Sequence, residues 1–235
     1  MGKFRTFGCI GIDAVRSSGE RSCAMEARKY LLIGDSISLH YSPYLRNMLH
    51  FGSSLLQKDG LNIAFEDLDV PTGANGGDSS MVLRYLAHSV SRIRCDLALV
   101  NCGLHDVKRA GTSGALQVDP DEYAGNVSAI CDLFCDAGIP MAWITTTPVN
   151  DSIHRERQND FVRYNDDVIR CNQQAELLME TNRIPIIDLN TFTRTLGGAE
   201  VYCDHVHFVE WVRRAQAAYI AGWIAGHTSG RPMIQ

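Results

Sequence analysis

The segment YLLIGDS, Tyr30–Ser36, ends an apolar run on a glycine, an acid and a hydroxyl, and DHVH at Asp204–His207 sets a carboxylate three residues before an imidazole. A serine hydroxyl becomes a useful nucleophile when a base takes its proton, and an imidazole does this best when a carboxylate fixes its tautomer. Ser36, His207 and Asp204 are therefore candidates for nucleophile, base and orienter. His205 competes as the base, but neighbours in an extended segment point apart, so only one of the two faces Ser36. The bland alternative for Ser36 is to cap the following helix through its side-chain oxygen.

Chemistry that passes through a tetrahedral oxyanion also needs hydrogen-bond donors. NGGDS at Asn75–Ser79 places two glycines before a helix, where backbone N–H groups are free and the helix dipole favours negative charge. GLHD at Gly103–Asp106 follows the apolar run LALVN and brings His105 to a strand end. A lone histidine or a glycine pair is ordinary turn chemistry, so each is informative only in combination.

From Arg28 onward, strand-length apolar runs alternate with longer amphipathic stretches. That alternation marks a parallel sheet covered by helices. Strands are expected at Tyr30–Ile33, Asn62–Glu66, Leu97–Asn101, Met141–Thr145 and Ile184–Asp188, and helices at Pro43–Phe51, Ser79–Ile93, Pro120–Ala137, Asn159–Asn182 and Glu210–Ala225. The fold class is α/β: a three-layer α/β/α sandwich on a flavodoxin-like, doubly wound, parallel five-stranded sheet. Ligands of such sheets bind beyond the carboxyl ends of the strands, where GDSIS, PTGANGGDSS, CGLHDVKR, TTPVND and CDHVHF all fall. The positions of Asn101, Thr146, Thr147 and Asn150 invite substrate contact without establishing it, and the charged stretch His154–Arg170 suits a pocket rim or, more plainly, a solvated helix face.

At 235 residues the chain suits one domain, residues 28–235, behind an N-terminal extension at 1–27. That extension matches the M-G-x-x-x-[ST] myristoylation pattern through Gly2 and Thr6, while Asp13 interrupts its apolar patch before it reaches signal-peptide length. A net charge of −5 argues against nucleic acid as a partner, and no apolar run is long enough for a membrane span. The eight cysteines are dispersed with no C-x-x-C pair, which points to reduced thiols in a cytoplasmic protein.

Together the four segments resemble those of the GDSL/SGNH hydrolase superfamily, in order and spacing, across residues 30 to about 225. Gly34–Ser36 matches its G-D-S block, Gly77–Ser79 its glycine block, Gly103–Asp106 its G-x-N-D block and Asp204–His207 its D-x-x-H block. The resemblance implies a serine esterase acting through an acyl-enzyme on a small-molecule ester, short acyl or acetyl, on a carbohydrate among other carriers, with no metal and no organic cofactor. It assigns Ser36 as nucleophile, His207 as base and then acid, Asp204 as orienter, and the N–H groups of Ser36 and Gly77 to the oxyanion hole, with Gly76 the alternative if the turn is shifted by one residue. The departure is His105, where the family has asparagine. A neutral imidazole has one N–H against the amide's two, so His105 serves as third donor only in the right tautomer, which Asp106 or a backbone carbonyl would hold. Two other classes stay open: a metal-dependent hydrolase with Asp204, His205 and His207 as ligands, and a non-catalytic binding module on the same fold. The sequence does not determine oligomeric state.

Overall fold

The structure, a computed structural model, describes residues 27–111, 114–157 and 160–228. The N-terminal extension with its Gly2 and Thr6 pattern lies outside them, apart from Ala27. Seven strands and eight helices follow in chain order among the described residues: β1 (Lys29–Ile33), α1 (Ser36–Met48), β2 (Ser54–Leu56), α2 (Leu61–Ala64), α3 (Ser79–Ser89), β3 (Leu97–Val100), β4 (Arg109–Ala110), α4 (Pro120–Asp136), β5 (Met141–Ile144), α5 (Asp151–Arg157), β6 (Phe161–Val162), α6 (Asn165–Asn182), β7 (Ile186–Ile187), α7 (Leu189–Arg194) and α8 (Glu210–Thr228).

Five strands form one parallel sheet in the order β2-β1-β3-β5-β7. Chain order therefore reverses between β1 and β3, the place where a doubly wound sheet opens a crevice for its ligand. Tyr30–Ile33, Ala98–Val100 and all of β5 are buried, as strands covered on both faces must be. Helices α1, α7 and α8 pack together, as do α3, α4 and α6. Trp143, Phe134, Tyr30 and Phe208 are fully or almost fully buried. A second, two-stranded antiparallel sheet, β4 with β6, is tied down by the paired hydrogen bonds of Arg109 to Asp167 at 2.6 and 2.8 Å.

Three expected elements are corrected. The strand expected at Asn62–Glu66 is instead the single turn α2. Its large side chains Ile63 and Phe65 are 52% and 45% exposed and only the small Ala64 is buried, so the run lacks the alternating buried face of a strand, and the sheet edge is the three-residue β2. The helix expected from Pro43 begins at Ser36, with Pro43 in its interior. Proline cannot donate to the carbonyl four residues back, and the Ser42 hydroxyl donates to that carbonyl, of Leu39, at 3.1 Å. The helix expected from Asn159 begins at Asn165, whose N–H is held by the Asp151 carboxylate at 2.7 Å, and the residues before it supply β6.

One side-chain bond joins the start of α3 to the turn after β3. Asp106, 2% exposed, accepts the Ser79 N–H at 2.8 Å. Burial raises its carboxyl to about 7, with the bonds from Ser79 pulling the other way. Between the ordinary range near 4 and about 7, the folded chain keeps a proton that the unfolded chain has released. The contribution of Asp106 to stability therefore falls as pH rises through this window and levels off above it. Asp106→Asn keeps an oxygen for Ser79 and removes the titration, so its stability relative to wild type climbs with pH by up to about 1.4 kcal/mol per unit. Urea midpoints of the two proteins between about pH 5 and 7 measure this; midpoints moving in parallel would refute it.

Candidate active site

Ser36 opens α1 directly beyond β1. Asp35, not Ser36, caps that helix, its carboxylate accepting the Ile37 N–H at 2.9 Å. The Ser36 side chain is thereby released from capping. Its Oγ lies 2.7 Å from Nε2 of His207, a residue 171 positions later in the chain. Both side chains are 2% exposed.

Asp204 explains why its spacing from His207 is three. Oδ1 accepts the backbone N–H groups of Val206 at 2.8 Å and His207 at 2.7 Å, which folds the segment into a turn. Oδ2 is then 2.7 Å from Nδ1 of His207. Outside the turn, Cys203 and Val209 donate to the carbonyls of His207 and Val201, clamping its base. Burial works to raise the Asp204 carboxyl, but the His207 hydrogen bond and charge and the two backbone donors outweigh it and hold the group well below the usual range. Asp204 is thus an anion wherever the protein is folded near neutrality, aimed at the nitrogen that must stay protonated if Nε2 is to accept from serine.

His205 points elsewhere. Its Nε2 is 3.1 Å from Asp69 Oδ1, and its ring stands edge-on to those of His154 and His207, at centroid separations of 5.1 and 5.9 Å. Asp204, His205 and His207 therefore do not converge on one point, and among the described residues no group of three His, Cys, Asp or Glu side chains is placed to hold a metal ion.

On the donor side, the Ser36 N–H belongs to the first turn of α1, where no intrahelical acceptor exists. The Gly76 N–H is committed to the Gly34 carbonyl at 2.8 Å. Gly77 donates to Oδ1 of Asn75 at 3.0 Å, from a left-handed backbone with φ +74. A Cβ at Gly77 would sit 2.6 Å from Sδ of Met81 and 2.9 Å from Cβ of Pro71, so both conformation and space demand glycine. His105 lies in the turn after β3, 1% exposed, and its Nδ1 is buried without a partner. Asp106 does not fix its tautomer, because that carboxylate is turned onto Ser79. Burial, then the charges of Lys108 and Arg163, push the His105 imidazole well below its ordinary range, so it is neutral.

Two residues singled out for substrate contact are internal ties. Asn101 Nδ2 donates to the Ile144 carbonyl at 2.9 Å and to Thr146 Oγ1 at 3.2 Å, while Thr146 Oγ1 donates to the Cys102 carbonyl at 3.2 Å. They lock the ends of β3 and β5 together. His40 is a neighbour that the motif reading missed. Its ring meets that of His207 edge-on at 4.9 Å, and burial first, then the His207 and Arg213 charges, lower it to about 3. The available signal was its spacing: four residues after Ser36 puts it on the same helix face.

No protein-family model matches the chain, and no curated protein matches it by sequence. Solved structures do. The lipase/acylhydrolase from Enterococcus faecalis superposes with a TM-score of 0.64 at 16% identity, covering 85% of this chain and 96% of that one. A carbohydrate acetylesterase from Sinorhizobium meliloti gives 0.59 at 13% identity, covering 85% and 99%. A member of the lipolytic G-D-S-L family from Veillonella parvula gives 0.59 at 14%, covering 84% and 98%. With the sheet order and the placement of the four segments, these likenesses show that the chain has the α/β fold of the GDSL/SGNH hydrolases.

Proposed function

We propose that this chain is a serine esterase that hydrolyses short-chain or acetyl esters of small molecules, carbohydrates among them, through an acyl-enzyme. The observation that carries this reading is the continuous chain Ser36 Oγ, His207 Nε2, His207 Nδ1, Asp204 Oδ2, with both gaps 2.7 Å. His207 takes the hydroxyl proton as Ser36 attacks the ester carbonyl. Asp204 stabilises the imidazolium so formed, which then protonates the departing alkoxide. Water, activated by the same imidazole, releases the acid. The lean toward acetylated carbohydrate comes from the acetylesterase named among the structural neighbours.

The developing oxyanion is received by the N–H groups of Ser36 and Gly77 and by His105. For Gly77 this requires the N–H now donated to Asn75 to be shared with the incoming oxygen. For His105 it requires the neutral ring with its one proton turned to the site, and burial first, then the Lys108 and Arg163 charges, favours that neutral form. No described helix is long and apolar enough to cross a membrane, and the proposed substrate is a small molecule.

A panel of p-nitrophenyl esters and acetylated sugars, run on wild type and Ser36→Ala, tests nucleophile and substrate together. Wild type is expected to turn over the short esters and to be labelled at Ser36 by a fluorophosphonate. Ser36→Ala should lose on the order of 10⁶ in kcat, and an active Ser36→Ala protein would end the proposal.

Asp204→Asn should lower kcat on the order of 10⁴-fold with KM little changed, since the orienter acts on the base rather than on bound substrate. His105→Ala should cost ~10²–10³ in kcat. Undiminished turnover in steady-state assays of His105→Ala would reduce the hole to its two backbone donors.

A further inference from the structure

A cavity of about 330 Å³ lies between the segment that follows β5 and the segment that leads into the turn carrying Asp204 and His207. Asn150, Asp151 and Asn165 line it, all three half-buried. Each has one side-chain oxygen tied to the backbone. Oδ1 of Asn150 accepts the N–H groups of Ser152 at 3.2 Å and Ile153 at 3.1 Å, and Oδ1 of Asn165 accepts the Val149 N–H at 3.2 Å. Oδ1 of Asp151 accepts the Asn165 N–H at 2.7 Å. A carboxamide whose oxygen is committed still has its two N–H donors to give, and a carboxylate with one oxygen committed still has the other to accept with. The three residues thus offer two amide donors and a carboxylate acceptor, already held in place by bonds within the chain. Such preorganisation lowers the cost of binding.

Arg194, exposed, lines the same cavity. Among the described residues neither Asp151 nor Arg194 forms an ion pair with another side chain. One carboxylate and one guanidinium leave the lining without net charge, which suits an uncharged ligand better than an ion. Pro148, Val201 and the Tyr202 ring supply an apolar wall. The Tyr202 hydroxyl donates to the Pro148 carbonyl at 3.1 Å, and its ring packs on Phe208 at 4.9 Å. Burial first, then the Asp151 charge, raises that phenol, so the hydroxyl keeps its proton and the wall keeps its place. Fixed amides, a carboxylate and a guanidinium beside an apolar wall match a saccharide, whose neighbouring hydroxyls donate and accept while its C–H faces are apolar.

The cavity is also joined to the proposed site. Tyr202 pairs with Phe208 across the base of the Asp204–His207 turn, and Val209 donates to the Val201 carbonyl at 2.9 Å. Its wall and that turn are one continuous piece of chain.

We infer that this cavity binds a neutral saccharide, held by the Asn150 and Asn165 amides, the Asp151 carboxylate and the Arg194 guanidinium. The saccharide is either the carbohydrate part of the ester substrate or a free sugar. Binding itself is independent of the esterase reading, and only the first source rests on it.

Titration of the full chain with methyl glycosides and disaccharides of glucose, galactose, mannose and xylose, followed by amide NMR, should give saturating shifts of the Asn150 and Asn165 side-chain signals with at least one of them. Asn150→Asp, Asp151→Asn and Asn165→Asp each keep the oxygen that the backbone holds and change only the group left over. A purely structural role therefore predicts no loss, whereas saccharide contact predicts binding weaker by about tenfold or more in each. Arg194→Met, at an exposed position, should weaken it too, and circular dichroism checks that all four variants are folded. No saturating shift with any saccharide overturns the inference, as does binding that survives all four substitutions. The acetylated form of the saccharide that binds identifies the source. If the substrate carries the sugar, Asp151→Asn lowers kcat/KM for that ester about tenfold more than for p-nitrophenyl acetate; if the sugar binds free, the ratio of the two stays as in wild type. Should wild type turn over no ester while the saccharide binds and the variants lose it, the esterase reading falls and the cavity assignment stands.

Discussion

The contact between Ser36 Oγ and His207 Nε2 at 2.7 Å is the constraint on which everything else in this molecule converges. It joins the carboxyl end of β1, near the start of the described chain, to a turn just before α8. Neither end is free to drift. Ser36 is fixed as the first residue of α1 by the Asp35 cap, and His207 is fixed by Asp204 and by the bonds at the base of its turn. Helix α8 packs against α1, so the two elements that bracket the contact are also held face to face. Asp204 does two jobs with two oxygens. Oδ1 builds the turn and Oδ2 faces Nδ1 of the His207 ring, so the geometry of the loop and the orientation of the imidazole are not independent properties.

Burial sets the electrostatic character of the site. His40, His105 and His154 are all driven toward the neutral form, first by desolvation and then by neighbouring positive charge. Asp204 escapes the same pressure because three donors reach it. The result is one secured anion, aimed at one imidazole, among neutral rings that pack edge-on around it. Such an arrangement supports proton movement along a single line. Competing imidazoles are either turned to another carboxylate, as His205 is, or held in the neutral form by burial and neighbouring charge, as His40 is.

Much of this was legible in the sequence because it depends on local rules. Apolar runs of strand length, the Pro120 and Gly138 punctuation of α4, and hydroxyl, acid and imidazole groups placed after strands all read directly. The structure places Ser36, His207 and Asp204 in one hydrogen-bonded line. What did not read is what depends on tertiary context. The edge strand β2 has three residues and no period to detect, while the more apolar stretch beside it is a turn with exposed side chains. Pro43 looks like a helix start, and only a hydroxyl on its neighbour makes it an interior residue. His40, Lys108 and Arg163 belong to no motif. Their relation to the site comes from packing between segments that the chain separates.

His105 shows how these levels meet. An asparagine brings two N–H groups whatever surrounds it, so that residue works in any environment that accepts its shape. An imidazole brings one, and its number of protons depends on its surroundings. Burial does most to keep His105 neutral, and a positive field adds to it, from Lys108 on its own turn and from Arg163, bonded to the residue before it. The same two charges lie over the Phe161 ring, 4.5 and 4.8 Å from its centre. The protonation of one buried ring is thus decided by its depth and by two cations from different segments, with the Asp69 charge acting against them.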